Sequence, residues 1–379
     1  GTRTTMGSKL MADWVPDYDA TTVAKLRRAG AIIVGKHNCS EFAFGSTNVN
    51  AHYGPVRNPW NLERVSGGSS GGTAASVSAG TCMGGLGTDT GGSIRKPSCL
   101  CGGVGLKPTA GRVSRFGVTP LSWTMDHIGP MTRTVWDCAA MLGVVAGYDY
   151  RDPSSARVPV PDYTIGLDAS ADGLKGLRVG VLPAYFWDAA SEVSGLARRA
   201  LGVLMDLGAE VVEISLPSVH LSDQVGDVIY LSEAAAWHEE WLRARPQDYS
   251  SEVLVRLHAG AMFSAVQYHK AQRLRRVIRQ QTLEVLERVD VLVSPTSHEE
   301  APTVEESMPG ATKRSSPLLH LGRLTRTFNI SGLPAVSVPC GFTRSGLPVG
   351  LQIAGGEFDE ARMLRVGYEY EQATEWHKL

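Results

Sequence analysis

The chain has 379 residues, enough to bury a large core and to hold more than one domain-sized unit. Its hydrophobic content of 43% and charged content of 20% are ordinary for a globular protein, and its net charge of −1 gives no bulk field to attract nucleic acid or an anionic membrane. Six scattered cysteines fit a reducing compartment better than a disulfide scaffold, and no apolar run approaches the length of a membrane span.

Predicted elements alternate between helix and strand along the first two thirds of the chain. Near the start, a helix capped by Asp19 ends at Gly30, and residues 31–35 ("AIIVG") predict a buried strand. Further on, the order of a strand at 177–183, a helix at 191–208 and a strand at 209–215 predicts a parallel strand–helix–strand unit.

The alternation continues to the end of the chain. Helical patterns cover 231–245, 265–288 and 358–374, and strand patterns cover 290–296, 334–341 and 347–355. This order predicts the α/β class with a mixed central sheet. The polar stretch 307–317 ("SMPGATKRSSP") predicts a loop, either at the rim of a site or simply in solvent.

The glycine-rich stretch Ser66–Ser98 is the first candidate for chemistry. Gly67–Gly71 fits the G-x-S-x-G nucleophile elbow, but that motif needs a strand directly before it, and the preceding "NPWNLERV" is polar and broken by proline. A phosphate-binding loop would close on lysine followed by serine or threonine, which this stretch lacks. For "GGSSGG" alone, a loop that only turns the chain stays open.

The second glycine segment, "GTDTGGSIRKPS", favours acyl transfer. Thr90 to Ser93 form a row of small residues whose successive backbone N–H groups can converge on one point. A serine at the end of such a row holds its hydroxyl beside a ready oxyanion hole. The residues alone do not identify the base that would activate this serine.

The stretch Gly67–Ser93, "GGSSGGTAASVSAGTCMGGLGTDTGGS", resembles the amidase signature family, the serine hydrolases that use a Ser–cis-Ser–Lys triad. The resemblance continues through "GKHNCSEFAFGSTN", "CGGVGLKPTAGRVSRFG" and "LPAVSVPCGFTRSGLPVGLQIAG", and covers essentially the whole chain. It implies that residues 1–379 are a single amidase signature domain, a mixed central β-sheet covered by helices on both sides.

The resemblance also implies roles for individual residues. Ser93 is expected to be the nucleophile, Ser69 the bridging serine after a cis Gly68–Ser69 bond, and Ser70 a supporting hydroxyl. The backbone N–H groups expected to form the oxyanion hole belong to Thr90, Gly91, Gly92 and Ser93.

Further roles are implied for residues around these loops. Asp89 and Arg95 are expected to be a pair that holds the nucleophile loop, with an ordinary ion pair as the alternative. Phe44 is a candidate wall of the substrate pocket, with a plain core residue as the alternative.

The base expected from the resemblance is a neutral lysine, which takes a proton from Ser69 as Ser69 takes one from Ser93. In the family this lysine precedes the segment that matches "GTRTTMGS", so it is expected upstream of Gly1, in an N-terminal segment that this chain lacks. Lys9 and Lys36 are the nearest lysines in the chain, and Lys36 is the substitute candidate.

Three functions stay open at this point. The first is a stand-alone amidase that hydrolyses a carboxamide, with carbamates or esters as side substrates. The second is the catalytic subunit of a glutamine-dependent tRNA amidotransferase, and the third is a non-catalytic family member used for binding. The segment Glu233–Trp241 favours the first, and the presence of Ser69 and Ser93 argues against the third.

The expected partners follow from the same chemistry. We expect a cytoplasmic enzyme with a small-molecule amide substrate and neither nucleic acid nor membrane as partner, and a homodimer is left open. No cofactor and no metal are expected, because Cys99 and Cys101 have no second Cys or His cluster at zinc spacing.

Overall fold

The structure, a computed structural model, describes residues 1–167, 173–308 and 322–378. Its α-helices in those ranges are α1 Thr21–Arg28, α2 Gly71–Ser78, α3 Arg95–Cys101, α4 Val135–Val145, α5 Ser191–Asp206, α6 Ser222–Trp237, α7 Glu239–Ala244, α8 Ser251–Met262, α9 Ala265–Leu286, α10 Val304–Ser307, α11 Arg323–Ser331 and α12 Glu360–Gln372. Its strands are β1 Val49–Asn50, β2 Gly54–Pro55, β3 Arg57–Asn58, β4 Asn61–Val65, β5 Gly84–Asp89, β6 Val104–Lys107, β7 His127–Thr132, β8 Arg178–Val181, β9 Glu210–Glu213, β10 Val291–Pro295, β11 Ala335–Phe342 and β12 Pro348–Ala354.

Eight of these strands form one mixed sheet in the order β5-β7-β6-β11-β12-β10-β8-β9. Strand β8 pairs in parallel with β9 and with β10, whereas the other neighbours pair antiparallel. The predicted parallel unit of β8, α5 and β9 is therefore confirmed, as is the predicted mixed sheet.

Helices cover both faces of this sheet, as expected. A Cβ added at Gly350 of β12 would lie 2.9 Å from Cys99 Cβ of α3, so α3 packs on that face. A Cβ added at Gly367 of α12 would lie 3.4 Å from Val338 Cγ1 and 3.8 Å from Ile353 Cδ1. Because side chains alternate along a strand, Gly350 and Ile353 face opposite ways, and α3 and α12 lie on opposite faces.

Strand β5 was missed by pattern reasoning because glycine occupies three of its six positions. The structure explains that composition by close packing. A Cβ at Gly85 would lie 2.6 Å from Thr73 Cγ2 of α2, and one at Gly87 would lie 2.7 Å from Met131 Sδ of β7. Any larger residue would push these elements apart, so glycine here marks a crowded strand and not a flexible loop.

The expectation of a buried strand at 31–35 is wrong. Helix α1 is present, but the residues after it are exposed, with Ile32 88% and Val34 75% accessible. The physical reason is that no strand in the described part of the chain pairs with this segment, so its apolar side chains have no sheet face to cover.

Other sequence expectations met mixed outcomes. The helix predicted at 231–245 begins earlier, at Ser222, and breaks at His238 into α6 and α7. Helix α8 was not predicted. The rim loop expected at 307–317 lies mostly outside the described residues.

In the described ranges, no helix combines the length and the apolar character that crossing a membrane would need.

Candidate active site

The first glycine loop connects strand β4 to helix α2. Its Gly68–Ser69 peptide bond is cis, as expected. The Ser69 carbonyl accepts a hydrogen bond from the Ser40 backbone at 3.1 Å, and the Gly68 N–H donates to the Ser46 carbonyl at 2.8 Å. These bonds fix the backbone on both sides of the Ser69 side chain, which is only 1% exposed.

Strand β4 itself corrects one step of the sequence argument. The elbow motif at Gly67–Gly71 was set aside because no strand was expected before it, yet Asn61–Val65 is a short strand paired with β3. An edge hairpin with exposed Leu62 and Glu63 needs no continuous apolar pattern, which is why it was missed. Access to a cavity distinguishes Ser69 from Ser93, because Ser93 lines a cavity and Ser69 does not.

The second glycine loop connects strand β5 to helix α3 and carries Ser93. It lies directly against the first loop, since the Ser70 N–H donates to the Ser93 carbonyl at 3.2 Å. The Ser70 hydroxyl donates to the Thr88 carbonyl and accepts from the Thr88 N–H, both at 3.2 Å. These contacts tie Ser70 to strand β5, and its role as a supporting hydroxyl stays a prediction.

Asp89 and Arg95 form a fully buried two-point ion pair, as expected. Arg95 Nε donates to Asp89 Oδ2 at 3.1 Å, and Arg95 Nη2 to Oδ1 at 2.9 Å, with both side chains 0% exposed. Burial alone would raise the pKa of Asp89, but the charge and hydrogen bonds of Arg95, with a bond from Asn329, lower it well below its ordinary value.

Arg95 extends this pair across the fold. Its Nη1 donates to the Thr325 carbonyl at 2.9 Å and to Gln352 Oε1 at 2.8 Å, and its Nη2 donates to Asn329 Oδ1 at 2.7 Å. The nucleophile loop is therefore tied to α11 and to strand β12. Because every donor has an acceptor, this buried charge is compensated, and the loop is held rigidly in place.

Three of the four backbone N–H groups from Thr90 to Ser93 have no hydrogen-bond acceptor among the described residues, and the fourth has one. The N–H groups of Thr90, Gly91 and Ser93 have no acceptor among the described residues. The Gly92 N–H instead donates to Asp89 Oδ1 at 2.7 Å, so this amide, expected in the oxyanion hole, already has an acceptor in the structure.

Gly92 is required by geometry. Its φ is +121°, and a Cβ there would lie 2.1 Å from Thr325 Oγ1 and 3.0 Å from Lys96 Cε. No side chain fits that conformation or that space.

A carboxylate that sequence reasoning missed positions the start of this row. Asp126 Oδ1 accepts from the Thr90 hydroxyl at 2.6 Å, and its Oδ2 accepts from the backbone N–H groups of Leu121 at 2.8 Å and Ser122 at 2.9 Å. Burial raises the pKa of Asp126 to about 6, against the lowering effect of these hydrogen bonds. Asp126 directly precedes strand β7, and only the fold shows what its side chain contacts.

Ser93 opens onto a cavity of about 370 Å³. Thr90 and Gly91 also line this cavity, and Phe44, Leu121 and Leu231 contribute apolar side chains to its lining. Phe44 is only 4% exposed and packs against Tyr230 at 6.3 Å between ring centroids, so it is both a core residue and a pocket wall.

Charged residues also line this cavity. Arg326 Nη1 donates to Asp227 Oδ1 at 2.6 Å and lies 3.7 Å from Asp223 Oδ1. Arg256 donates to Glu252 at 2.6 Å. Lys96, which no sequence motif singled out, also lines the cavity and is 5% exposed.

Neither lysine considered as a substitute base lies on this cavity. Lys9 Nζ is 2.9 Å from Asp248 Oδ1, and its side chain is 61% exposed. Lys36 is exposed and donates to the Thr2 carbonyl at 3.2 Å and to the Thr4 hydroxyl. In the described ranges, no group of three His, Cys, Asp or Glu side chains is placed to hold a metal ion.

Comparison with known proteins shows which family and which relatives the chain is similar to. Residues 1–364 match the family described as Amidase. A glutamyl-tRNA(Gln) amidotransferase subunit from Roseiflexus sp. (strain RS-1) is 44% identical over 403 residues, which cover 100% of this chain and 81% of that relative.

Solved structures give the same result. The corresponding glutamyl-tRNA(Gln) amidotransferase subunit from Thermotoga maritima is 37% identical, with a TM-score of 0.86, and the match covers 98% of this chain and 80% of that one. A structure described by the words "An unexpected vestigial protein complex reveals the evolutionary origins of an s-triazine catabolic enzyme" is 35% identical, with a TM-score of 0.90 and the same coverage.

Proposed function

Because this chain belongs to the amidase family and is an enzyme that acts on amide C–N bonds, we propose that it hydrolyses a carboxamide through an acyl-enzyme on Ser93. One observation carries the assignment: Ser93 lines the cavity together with Thr90 and Gly91, and the backbone N–H groups of these three residues have no acceptor among the described residues. A tetrahedral oxyanion needs such preorganised donors, and a serine beside them is placed to attack.

The chemistry then proceeds in balanced steps. Ser93 Oγ attacks the amide carbonyl carbon as its proton passes to Ser69 Oγ, whose own proton passes to the base. The amides of Thr90, Gly91 and Ser93 stabilise the oxyanion. The proton returns through Ser69 to the leaving nitrogen as the C–N bond breaks, and water repeats the cycle on the acyl-enzyme to free the acid and Ser93.

The proposed base is a lysine outside residues 1–379. Two observations speak against the substitute candidates: Lys9 is engaged with Asp248, and Lys36 is engaged with Thr2 and Thr4, both away from the cavity. A chain extended by the residues that carry the base should hydrolyse amides far faster than residues 1–379 alone. Equal rates for the two chains would place the base within the 379 residues.

Among the possible settings for this chemistry, the comparisons favour the amidotransferase component over the stand-alone amidase. Identity of 44% across 100% of this chain to a glutamyl-tRNA(Gln) amidotransferase subunit supports a catalytic component that works with protein partners. The contrary preference, drawn from Glu233–Trp241, has weak support, because Glu233 has a structural role: it accepts hydrogen bonds from Ser122 Oγ at 2.5 Å and Tyr268 OH at 2.7 Å.

The experiment measures ammonia release from glutamine and from simple carboxamides, with the protein alone and with its co-purifying partners. Ser93→Ala should abolish release, and Ser69→Ala should slow it by orders of magnitude, because each breaks the proton path. Ser78→Ala on α2 is the matched control and should leave the rate unchanged. A serine-reactive fluorophosphonate should label Ser93. Near-normal activity of Ser93→Ala would end the assignment.

A further inference from the structure

A single turn, residues 40–46, contacts the backbone on both sides of the Ser69 side chain. The Ser40 N–H donates to the Ser69 carbonyl at 3.1 Å, and the Ser46 carbonyl accepts from the Gly68 N–H at 2.8 Å. The second half of the turn also lines the cavity. The position of Ser69 therefore depends on the conformation of this turn.

The turn has an unfavourable backbone conformation at two consecutive residues. The angle φ is +46° at Phe42 and +62° at Ala43. Both values lie in the left-handed region, where the Cβ of any residue other than glycine crowds its own backbone. Such residues persist only where the surrounding structure over-determines them. Contacts outside the turn must therefore hold Phe42 and Ala43 in place.

The ring of Phe42 makes the first of these contacts. It is 4% exposed, and its centroid lies 4.5 Å from that of His238, 5.9 Å from Trp241, 6.1 Å from Tyr249 and 6.2 Å from Trp237. A hydrogen bond of 2.8 Å joins His238 Nδ1 to the Tyr249 hydroxyl. These five side chains are the aromatic cluster. A change of φ at Phe42 would turn its ring out of the cluster.

The side chain of Glu41 makes the second contact. Its Oε1 accepts from the Ser8 hydroxyl at 2.7 Å and lies 3.1 Å from His52 Nε2. Its Oε2 accepts at 3.0 Å from the N–H of Ser250, the residue that caps helix α8. Glu41 is 3% exposed, so the start of the turn is anchored inside the protein. The ring of the next residue then fixes the direction in which the chain continues.

We propose that Phe42 is a positioning residue for the proton relay: the aromatic cluster holds the turn in its left-handed conformation, and the turn in that conformation places Ser69 against Ser93. The inference rests on the proposed function, because that function gives Ser69 its part in proton transfer. The loop that carries Ser93 is held separately, by the ion pair of Asp89 and Arg95. Loss of the cluster should therefore displace Ser69 and leave the nucleophile loop in place.

The experiment measures the rate constant for labelling of Ser93 by a fluorophosphonate, which needs an activated hydroxyl but no particular amide substrate. The protein is used in its active form, with the residues that carry the base and with its protein partners where activity requires them. Phe42→Leu keeps an apolar side chain but removes the ring. The rate constant should fall by about 10- to 100-fold, as expected when a group in the proton path is displaced by a fraction of an ångström to about 1 Å.

Phe342→Leu is the matched control. The Phe342 ring packs edge-on against Trp60 at 4.6 Å between centroids, at the end of β11 and away from the cavity. It loses a comparable aromatic contact, so its stability should fall while labelling of Ser93 stays at the wild-type rate. Equal labelling rates in Phe42→Leu and wild type would overturn the inference.

A double-mutant comparison separates a positioning role from a general loss of structure. Ser69→Ala should itself slow the labelling of Ser93. If Phe42 acts through Ser69, adding Phe42→Leu to Ser69→Ala should cause little further fall. A fall by the same factor with and without Ser69 would show that Phe42 acts by another route, and the inference would be wrong.

Hydrogen exchange tests the placement of Ser69 without relying on the proposed function. The amides of Ser40 and Gly68 should exchange faster in Phe42→Leu than in wild type, and those of β11 and β12 should keep their rates. That result supports the placement even if the protein hydrolyses no amide and the proposed function fails. Unchanged exchange at both amides would contradict it.

Trp241→Leu is the second variant and serves if circular dichroism and urea unfolding show that Phe42→Leu does not fold. It removes one half-buried ring of the aromatic cluster and leaves Phe42 in place. Labelling of Ser93 should slow by a smaller factor, and exchange of the Ser40 and Gly68 amides should accelerate. A folded Trp241→Leu variant with wild-type labelling and wild-type exchange would overturn the inference.

Discussion

The backbone N–H of Ser70 donates to the carbonyl oxygen of Ser93 at 3.2 Å, which joins the two glycine loops directly. The Ser70 hydroxyl adds two bonds to the backbone of Thr88 on β5. Ser69 and Ser93 therefore belong to segments whose backbones are held to one another and to the central sheet. The position of Ser69 relative to Ser93 therefore depends on how the atoms around Ser70 are packed.

Gly87→Ala should disturb that packing. A Cβ at Gly87 would lie 2.9 Å from Ser70 Oγ and 2.7 Å from Met131 Sδ, too close for either atom to stay in place. We expect the free energy of unfolding to fall by about 1–3 kcal/mol, as for other overpacked sites, and the rate of amide hydrolysis to fall with it. Urea unfolding and ammonia release measure the two effects.

Gly143→Ala is the control for this substitution. Gly143 lies within α4, and a Cβ there would meet no atom within 4 Å. Alanine in a helix interior should raise the free energy of unfolding by about 0.5–1 kcal/mol, with activity unchanged. If both alanine variants behaved alike, crowding at Gly87 would not be the cause.

Asp89→Asn should destabilise the protein more than an ordinary charge removal. It leaves the Arg95 guanidinium, which is 0% exposed, without its buried counter-charge. We expect the free energy of unfolding to fall by about 3–5 kcal/mol, measured by urea unfolding. Glu239→Gln, in an exposed pair with Arg243, is the control and should cost less than about 1 kcal/mol. A loss of similar size in both variants would contradict the account.

Thr90→Val tests whether Asp126 positions the proposed oxyanion hole. Valine keeps the shape but removes the hydroxyl that donates to Asp126 Oδ1 at 2.6 Å. Because the Thr90 N–H would act mainly in the transition state, kcat should fall by about tenfold or more with little change in KM. Thr90→Ser should restore kcat. A fall confined to KM, or no recovery with serine, would assign Thr90 to substrate binding or packing.

Three central strands could be predicted because their apolar side chains are enough to identify them as buried strands. Strands β10, β11 and β12 are buried at nearly every position, so their apolar runs are visible in the sequence. Strand β5 was not predictable, because its glycines are explained only by Thr73 and Met131, which the fold brings against them.

The candidate site likewise contains residues that the sequence identifies and a residue that only the fold identifies. Ser69, Ser93 and the pair of Asp89 with Arg95 lie close in sequence, and their motif is long enough to identify. Lys96 follows Arg95 directly, yet the absence of a partner for its Nζ among the described residues depends on a bond between Arg326 and Asp227, which lie more than a hundred residues downstream. No local pattern carries that information.

The pH dependence of substrate affinity should separate carboxylate-bearing amides, such as glutamine and glutaramate, from neutral amides, because Lys96 lines the cavity. Burial lowers the pKa of Lys96 to about 7, so the ammonium is present below that pH and lost above it. The carboxylate of glutaramate is ionised above about pH 5. Attraction between the two is therefore strongest at about pH 5–7, and KM for glutaramate should rise as pH increases beyond this window, by at most about tenfold per pH unit.

Neighbouring charges decide where this window ends. The groups that act on Lys96 from the elements around it are Arg326 of α11, Arg95 of α3 and Arg256 of α8, which lower its pKa, and Asp89 at the end of β5, which raises it. Asp223 and Asp227 of α6 and the Tyr230 hydroxyl line the same cavity. A bound carboxylate raises the pKa of Lys96 in the complex, as Asp89 does, so the rise in KM should begin near pH 7, the pKa without ligand, and level off above the higher pKa of the complex.

The measurement is the ratio of KM for glutaramate to KM for 5-oxohexanamide, which has a methyl ketone where glutaramate has its carboxylate, between pH 5.5 and pH 9, since titration of shared groups cancels in the ratio. The ratio should rise with pH in wild type and stay flat in Lys96→Arg, whose guanidinium remains charged throughout. In Lys96→Met the ratio should be high at every pH. A ratio that rises equally in wild type and Lys96→Arg would show that another group controls binding of the carboxylate.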